Sequence, residues 1–372
     1  MKALDSHYII DGREMDATPR EILSALCQDQ PAGNTSPEPG QEDIIDEAAD
    51  PQPGNGYFEP TLAKSYAKAV AGTKRESFPL CYSGSLSRLA VARGLLEALF
   101  KEGHFKLGDL RPQADWIWNE APIGSMAAFY ESVSWACEYM DNLGVKLGGY
   151  SLAPGAANSL QISCDTVASL PGEDTLFEES PFITPDAHIG KALKTSPLAI
   201  PSKGDWIIYI PFDTCRYRLG GSLLAQATGK EGGKSPDVTD ADYFIDCYEV
   251  VRELVEDGVA VAGAPVADGG LYTALYKFIG NKAFTADIAS VARAAEEEDI
   301  TKLLFGEIPG VLIQIKDYDF DYIDAELLLQ DVAYYPLGQL SGADGALTLD
   351  TSGSALKGIL ISLMDNASEG ED

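Results

Sequence analysis

Residues 262–277 read Ala-Gly-Ala-Pro-Val-Ala-Asp268-Gly269-Gly270-Leu-Tyr-Thr-Ala-Leu-Tyr-Lys, and the rest of the chain can be arranged around this stretch. The Val/Ala run at 259–262 predicts a buried strand. Apolar residues after the glycines recur at the spacing of a helix packed on a sheet: Leu271, Leu275, Phe278 and Ile279. A glycine pair at such a junction places free backbone N–H groups at the positive end of a helix, which suits an anion. The alternative is a tight strand-to-helix turn with Asp268 as its N-cap.

Two further glycine pairs and one acidic residue are candidates for the same kind of site. Gly148-Gly149-Tyr150-Ser151 predicts a turn that could approach a phosphate closely, and Gly220-Gly221-Ser222 stands directly before a helical Leu-Leu-Ala-Gln run. Glu307 lies in a turn that leads into an apolar strand ending at Ile315. The alternative for each glycine pair is a plain turn, and for Glu307 a turn residue between two domains.

The composition excludes several classes of protein. The chain has 372 residues, of which 45% are apolar, and a formal net charge of −31 at pH 7. This length predicts a folded protein of two or three domains, and the charge argues against nucleic acid as a partner because no basic surface could displace counterions. Six cysteines form no C-x-x-C pair and three histidines do not cluster, so the sequence predicts neither a zinc site nor a disulfide scaffold.

The sequence also predicts a cytoplasmic protein with reduced thiols. The first residues lack the basic region and apolar region of a signal peptide. No apolar run approaches the roughly 18 residues that a membrane-spanning helix needs.

The order of elements predicts a mixed α/β (α+β) fold in four segments. Residues 1–27 form an N-terminal strand and helix, in which Thr18, Pro19 and Glu21 give an N-terminal capping pattern. Residues 28–56 are polar and acidic and predict a disordered linker. Residues 57–200 and 201–372 then form two α/β domains.

Within the domains the apolar spacing predicts individual elements. Helices are expected over 85–99, with Ser85 as the N-cap, and over 129–143, 241–257, 285–298 and 323–329. Strands are expected over 205–211, 334–337 and 346–350.

Several ordered motifs resemble one family, the phosphoribosylformylglycinamidine synthases of purine biosynthesis, and specifically the second synthetase half of that enzyme. The motifs are Arg88-Leu-Ala-Val91, Gly108-Asp-Leu, Asp115-Trp-Ile-Trp118, the helix from Phe129 to Leu143-Gly144, Leu219-Gly-Gly-Ser-Leu-Leu-Ala-Gln226, Ala267-Asp-Gly-Gly-Leu271 and Leu304-Phe-Gly-Glu307. They follow one another in the family's order and at similar spacing, so the resemblance covers most of the chain.

The resemblance implies an aminoimidazole ribonucleotide synthetase-like unit of two domains. The sheet of its N-terminal domain would pair with a partner's sheet into a barrel, and a C-terminal α/β domain would lie beside it. The full enzyme uses ATP and glutamine-derived ammonia to convert an amide of a ribonucleotide into an amidine, and Mg²⁺ neutralises the triphosphate. The partner would be a second copy or a homologous first-half synthetase chain, together with a glutaminase subunit.

The resemblance fails at the positions that hold metal and nucleotide in the family. Arg93 and Glu97 stand where the family has a metal-binding Glu and Asn, and Pro265 and Ala267 stand where it has a metal-binding Asp and a nucleotide-binding Ser. Lys64 aligns with a further Asp ligand. The first half with the catalytic His, and the glutaminase, are missing from this sequence.

These replacements predict a degenerate auxiliary or structural half that has lost its Mg-nucleotide site. One alternative is an active ATP-dependent ligase, as a split subunit or homodimer, that uses Asp268, Glu307, Ser151 and Ser222 in a rearranged site. Another is a non-enzymatic binding module on the same fold. The resemblance gives Gly148, Gly149, Ser151, Gly220, Gly221, Ser222, Asp268, Gly269, Gly270 and Glu307 as the candidate nucleotide- or phosphate-binding residues.

Overall fold

The structure is a computed structural model that describes residues 2–27, 63–71, 73–101, 106–164, 195–230 and 233–351. The predicted acidic linker at 28–56 lies outside the described residues. The mixed α/β class is confirmed, because helices and several sheets alternate along the chain.

The helices in the described part are α1 Lys2–Asp5, α2 Pro19–Leu26, α3 Ala63–Ala71, α4 Ser83–Lys101, α5 Ser125–Asn142, α6 Leu223–Thr228, α7 Ala241–Glu256, α8 Gly270–Ile279, α9 Ile288–Ala294, α10 Ile300–Phe305 and α11 Phe320–Leu329. The strands are β1 Ile9–Ile10, β2 Arg13–Glu14, β3 Gln113–Trp118, β4 Gly149–Pro154, β5 Ser159–Ser163, β6 Lys203–Pro211, β7 Ala262–Val266, β8 Phe284–Asp287, β9 Gly310–Ile315, β10 Tyr335–Ser341 and β11 Leu347–Asp350.

A four-stranded antiparallel sheet of order β10-β6-β9-β7 lies between two apolar cores. Successive side chains of a strand point to opposite faces. Ile208 and Ile313 therefore pack into one core with residues of α4, α5 and α7, whereas Ile207 and Leu312 pack into the other with residues of α8, α9 and α10. Burial on both faces explains why β6 and β9 are almost continuously apolar.

A second sheet of order β4-β3-β5 packs one face on helices. Strand β3 runs parallel to β4 and antiparallel to β5. Trp116 and Trp118 point inward from β3, and their indole N–H groups donate to Ser132 Oγ at 3.0 Å and to Ser125 O at 2.9 Å on α5. The opposite face carries the less buried residues of β3, including Asp115 and Ile117.

The predicted start of one helix is confirmed, and that of another is wrong. Thr18 caps α2, its side chain accepts from Glu21 N, and the Glu21 side chain accepts from Thr18 N, so the predicted capping box is confirmed. Helix α8 and helix α7 are also confirmed. Helix α4 begins at Ser83, so the predicted cap at Ser85 is wrong, and the Ser85 hydroxyl donates to Tyr82 O inside the first turn.

The glycines at 148 and 149 do not form a turn. Gly149 begins β4, which pairs with β3 over its whole length. A Cβ at Gly148 would lie 2.8 Å from Arg111 O, and one at Gly149 would lie 2.5 Å from Gln113 Oε1. The glycines therefore allow the neighbouring chain to approach closely.

The strand before the Asp268 turn is displaced from its predicted position. It covers Ala262–Val266 and not 259–262, although it contains Pro265. Because β7 is an edge strand, the missing N–H of Pro265 removes no bond that the sheet requires.

The predicted helix over 285–298 is wrong in its first part. Residues Phe284–Asp287 form β8, which pairs in parallel with β11. The Asp287 side chain then accepts from Ser290 N and begins the shorter helix α9. The predicted domain boundary near residue 200 stays a prediction, since the core that includes α4 and α5 also contains Trp206 and Phe244.

Candidate functional site

Glu307 joins the starts of two helices. Its side chain is 3% exposed, and Oε1 accepts the backbone N–H of Leu223 at 2.8 Å and of Gly269 at 2.9 Å. Leu223 is the first residue of α6, and Gly269 is the N-cap of α8. The two turns predicted to bind an anion are therefore brought together, and the anion that they bind is a carboxylate of the same chain.

Other backbone donors of these turns are also bonded within the protein. Gly220 N donates to Lys234 O at 2.8 Å, Ser222 N donates to Leu219 O at 3.1 Å, and Gly270 N donates to Ala267 O at 2.9 Å. The Ser222 hydroxyl accepts from Ala225 N and caps α6. These donors are consequently not directed at an open cleft.

Arg75 connects the same turns from the opposite side. Its guanidinium donates from Nη1 to Gly221 O at 2.5 Å, from Nη2 to Asp268 Oδ1 at 3.1 Å, and from Nη2 to Glu307 Oε2. The Arg75 side chain is only 7% exposed. It belongs to the irregular segment between α3 and α4 and was not identified from the sequence, because no motif or spacing marks it.

Arg93 completes the group from α4. Its Nη1 donates to Asp268 Oδ2, so both oxygens of Asp268 are bonded to guanidinium groups. The prediction of Asp268 as the helix N-cap is wrong, since the N-cap is Gly269 and Asp268 pairs with arginines. We refer to Arg75, Arg93, Asp268 and Glu307 as the arginine–carboxylate cluster.

Burial and charge shift the pKa values of the cluster in opposite directions. Burial raises the pKa of Glu307, against the attraction of Arg75. Burial acts in the same sense on Asp268, but the attraction of Arg93 and Arg75 outweighs it and holds the pKa of Asp268 below its usual value. Burial opposes the charge of Arg75, but Glu307 and Asp268 together raise the pKa of Arg75, so it stays protonated.

The cluster does not fit a Mg²⁺ ion. Magnesium requires carboxylate oxygens and several waters around it. Guanidinium groups bond both oxygens of Asp268 and one oxygen of Glu307, and the other Glu307 oxygen accepts backbone N–H groups. The cavity beside Arg93 and Asp268 measures about 10 Å³, close to what one water molecule needs.

The first predicted glycine pair lies in a different environment from the other candidates. Gly149 and Ser151 belong to β4, and the Ser151 hydroxyl donates to Asp115 on β3 at 2.6 Å. Gly148 N donates to Pro112 O at 2.9 Å. Within the described residues, none of the hydrogen bonds joins Gly148, Gly149 or Ser151 to the arginine–carboxylate cluster.

Comparison with known proteins shows what the chain is similar to. No protein-family model matches the chain. The chain is 27% identical over 263 residues to a probable phosphoribosylformylglycinamidine synthase, chloroplastic/mitochondrial, from Arabidopsis thaliana, and this match covers 69% of the chain. It is 27% identical over 235 residues, or 63% of the chain, to the phosphoribosylformylglycinamidine synthase of Homo sapiens. The chain resembles phosphoribosylformylglycinamidine synthase. The resemblance expected from the motifs is thus confirmed.

The chain is much shorter than these phosphoribosylformylglycinamidine synthases. The matched part spans 17% of the Arabidopsis protein and 16% of the human protein. Among solved structures, T. maritima PurL complexed with FGAR is 12% identical with a TM-score of 0.49, and the match covers 75% of this chain and 43% of that one. E. coli HypE, a hydrogenase maturation protein, is 14% identical with a TM-score of 0.44, covering 72% and 77% of the two chains.

Two other features of the structure bear on the sequence predictions. All six cysteines are free, and Cys137, Cys164 and Cys247 are buried. In the part of the chain that the structure describes, none of the helices is both long enough and apolar enough to cross a membrane.

Proposed function

We propose that the chain is a phosphoribosylformylglycinamidine synthase-like protein of purine biosynthesis that corresponds to the second synthetase half and has lost its Mg-nucleotide site. The single observation that carries this proposal is the pairing of Arg75 and Arg93 with Asp268 and Glu307. Two fixed positive charges take the place that a metal ion and its nucleotide would need.

The position of Arg93 supports the loss of the metal more strongly than a missing ligand would. By the resemblance, Arg93 stands where the family has a metal-binding Glu. A neutral replacement would only weaken a metal site, whereas a guanidinium repels the ion and also binds the remaining carboxylate, Asp268. By the resemblance, Pro265 replaces a metal-binding Asp and Ala267 a nucleotide-binding Ser, and neither offers a coordinating side chain.

The proposed role is auxiliary or structural and needs a partner. By the resemblance, the sheet β4-β3-β5 would pair with the sheet of a homologous first-half synthetase chain, or of a second copy, to close a barrel. Among the described residues, α4 and α5 cover one face of this sheet, and the other face carries the half-buried Asp115 and the exposed Ile117 of β3. A glutaminase subunit would belong to the same assembly.

An activity assay tests the loss of function. The full chain is mixed with Mg-ATP, ammonium and the formylglycinamide ribonucleotide, and ADP release is followed beside a full-length relative as the positive control. We expect no ADP release above that of buffer. Release by the wild-type chain that Asp268→Asn abolishes would contradict the proposal and support the active-ligase alternative.

A measurement of mass tests the partner. Light scattering measures the mass of the full chain, alone and mixed with a first-half synthetase chain of the same organism. We expect the mass of a dimer or of a one-to-one complex, in either case above the 39.8 kDa of the chain itself. A monomer in both samples would contradict an auxiliary role and favour the binding-module alternative.

A further inference from the structure

Helix α11 carries an apolar stripe on its outer face. Tyr318 just before the helix is 82% exposed, Tyr322 is 49% exposed and Leu329 is 80% exposed. Tyr322 and Leu329 are seven residues apart and so lie on one side of the helix, and Tyr318 lies just before the start of the helix. Leu328, also exposed, lies beside this row.

The inner face of α11 already fixes the helix to the protein. Ile323 and Leu327 are buried in the first core, and the ring of Phe320 packs on Trp206 with 4.7 Å between centroids. The outer row belongs to neither apolar core, and large exposed apolar side chains that lie together mark interaction surfaces.

The surroundings of the row are acidic. Residues 317–331 contain six acidic residues and no basic residue. Partial burial and the negative charges of Glu326, Asp257 and Glu253 raise the pKa of Tyr322, so carboxylates from both α11 and α7 face its hydroxyl group. We call the row Tyr318, Tyr322 and Leu329, with the flanking carboxylates of Asp257 and Glu326, the α11 surface.

Charge decides which kind of molecule the α11 surface can accept. A second copy would bring two such acidic surfaces together, and like charges at an interface cost several kcal/mol. The chain outside the described residues offers no basic segment either: residues 28–62 hold eight acidic and no basic residues, 165–194 six and two, and 352–372 four and one. Charge therefore favours a positively charged segment of another molecule as the occupant.

We propose that the α11 surface docks an amphipathic basic helix of a partner protein. The row spans about 16 Å, or three helical turns, from residue 318 to 329. A partner helix with apolar residues at i, i+3 or i+4 and i+7 would cover it, and Lys or Arg residues beside that stripe would meet the carboxylates. The proposal does not depend on whether the arginine–carboxylate cluster binds nucleotide.

A binding measurement with two synthetic peptides tests the proposal. The first is a fluorescein-labelled Leu/Lys peptide of about five helical turns with an apolar stripe, and the second has the same composition in scrambled order. Fluorescence anisotropy with the full chain should give at least about tenfold tighter binding of the striped peptide. Equal affinity for the two peptides would mean that the interaction is non-specific and electrostatic, and it would overturn the proposal.

Two double variants separate this surface from the rest of the protein. The variant Tyr322→Ser/Leu329→Ser should bind the striped peptide no more tightly than the scrambled one. The matched control Ile9→Ser/Ile123→Ser replaces two other exposed apolar side chains and should change binding less than about twofold. Unchanged binding by the first variant would overturn the proposal. The proposal would also be overturned if the wild type were a dimer and the first variant a monomer, because the α11 surface would then contact a second copy.

Discussion

At the scale of single residues, Arg75 has the largest predicted effect on stability. The variant Arg75→Ala leaves the Glu307 carboxylate buried without its cation, and breaking a buried ion pair in this way costs about 3–5 kcal/mol. Urea denaturation followed by circular dichroism measures the free energy of unfolding.

The control for Arg75 is an arginine in an exposed pair. Arg20 pairs with Asp5, and both side chains are largely in solvent, so Arg20→Ala should leave the denaturation midpoint almost unchanged. Equal losses of unfolding free energy in Arg75→Ala and Arg20→Ala would show that Arg75 does not stabilise the protein as a buried ion pair.

The cluster also predicts how stability changes in acid. The folded-state pKa of Asp268 lies below its ordinary value of 3.8. The stabilisation that ionised Asp268 gives the folded state is therefore fully present above pH 3.8 and is lost as the pH falls through the folded-state pKa. The pKa of Glu307 is raised above its ordinary value of 4.5. Glu307 therefore lowers the unfolding free energy as the pH rises above 4.5, which is a separate pH range. Below about pH 4, the unfolding free energy of the wild type should fall more steeply than that of Asp268→Asn. Parallel curves for the two proteins in that range would contradict the assignment.

At the scale of secondary-structure elements, the glycine turns predict a difference between two similar substitutions. Gly270 has a φ of 69°, and a Cβ there would lie 2.7 Å from Leu304 O on α10. Gly229 at the end of α6 has a φ of 66° but open space around it. Gly229→Ala should therefore cost about 1 kcal/mol from the backbone alone, and Gly270→Ala about 2–4 kcal/mol because overpacking adds to it.

Thermal and urea unfolding of the two glycine variants measure this difference. Equal costs would mean that the start of α8 can move away from α10, which the bond from Gly269 N to Glu307 opposes. Both positions have left-handed backbone, so each variant serves as the control for the other.

The elements also indicate which features a sequence reveals. Thr18 with Glu21 was predicted correctly because a capping box involves only neighbouring residues. Helix α8 was correct because its apolar spacing is local. The glycines at 148 and 149 were misread because strand β3, far away in sequence, decides their role.

At the scale of the whole molecule, the candidate site illustrates the same limit. Asp268 and Glu307 were singled out from turns and motifs, and Arg93 from its position in the resemblance. Their pairing was not predictable, because Arg75, Arg93, Asp268 and Glu307 come from four separate parts of the chain and meet only in the folded protein. No periodicity in the sequence records a contact of that kind.

The whole molecule should be insensitive to metal. A ligand that binds the folded state raises its stability with concentration, by about 2.7 kcal/mol at a hundred times Kd. If the cluster excludes Mg²⁺, the melting temperature should be the same in excess EDTA and in millimolar Mg²⁺ with ATP. A rise in melting temperature that requires both Mg²⁺ and ATP would be evidence of a surviving site. The variant Arg20→Ala leaves the arginine–carboxylate cluster intact and serves as the control, so its melting temperature should respond to Mg²⁺ and ATP as the wild type does.

The most direct test of the central claim is isothermal titration of the full chain with Mg-ATP. With guanidinium groups on Asp268 and Glu307, we predict no saturable heat up to about 1 mM nucleotide, which corresponds to binding weaker than about 4 kcal/mol. Saturable binding in the micromolar range that Asp268→Asn abolishes would contradict the claim that these arginines have replaced the metal and its nucleotide.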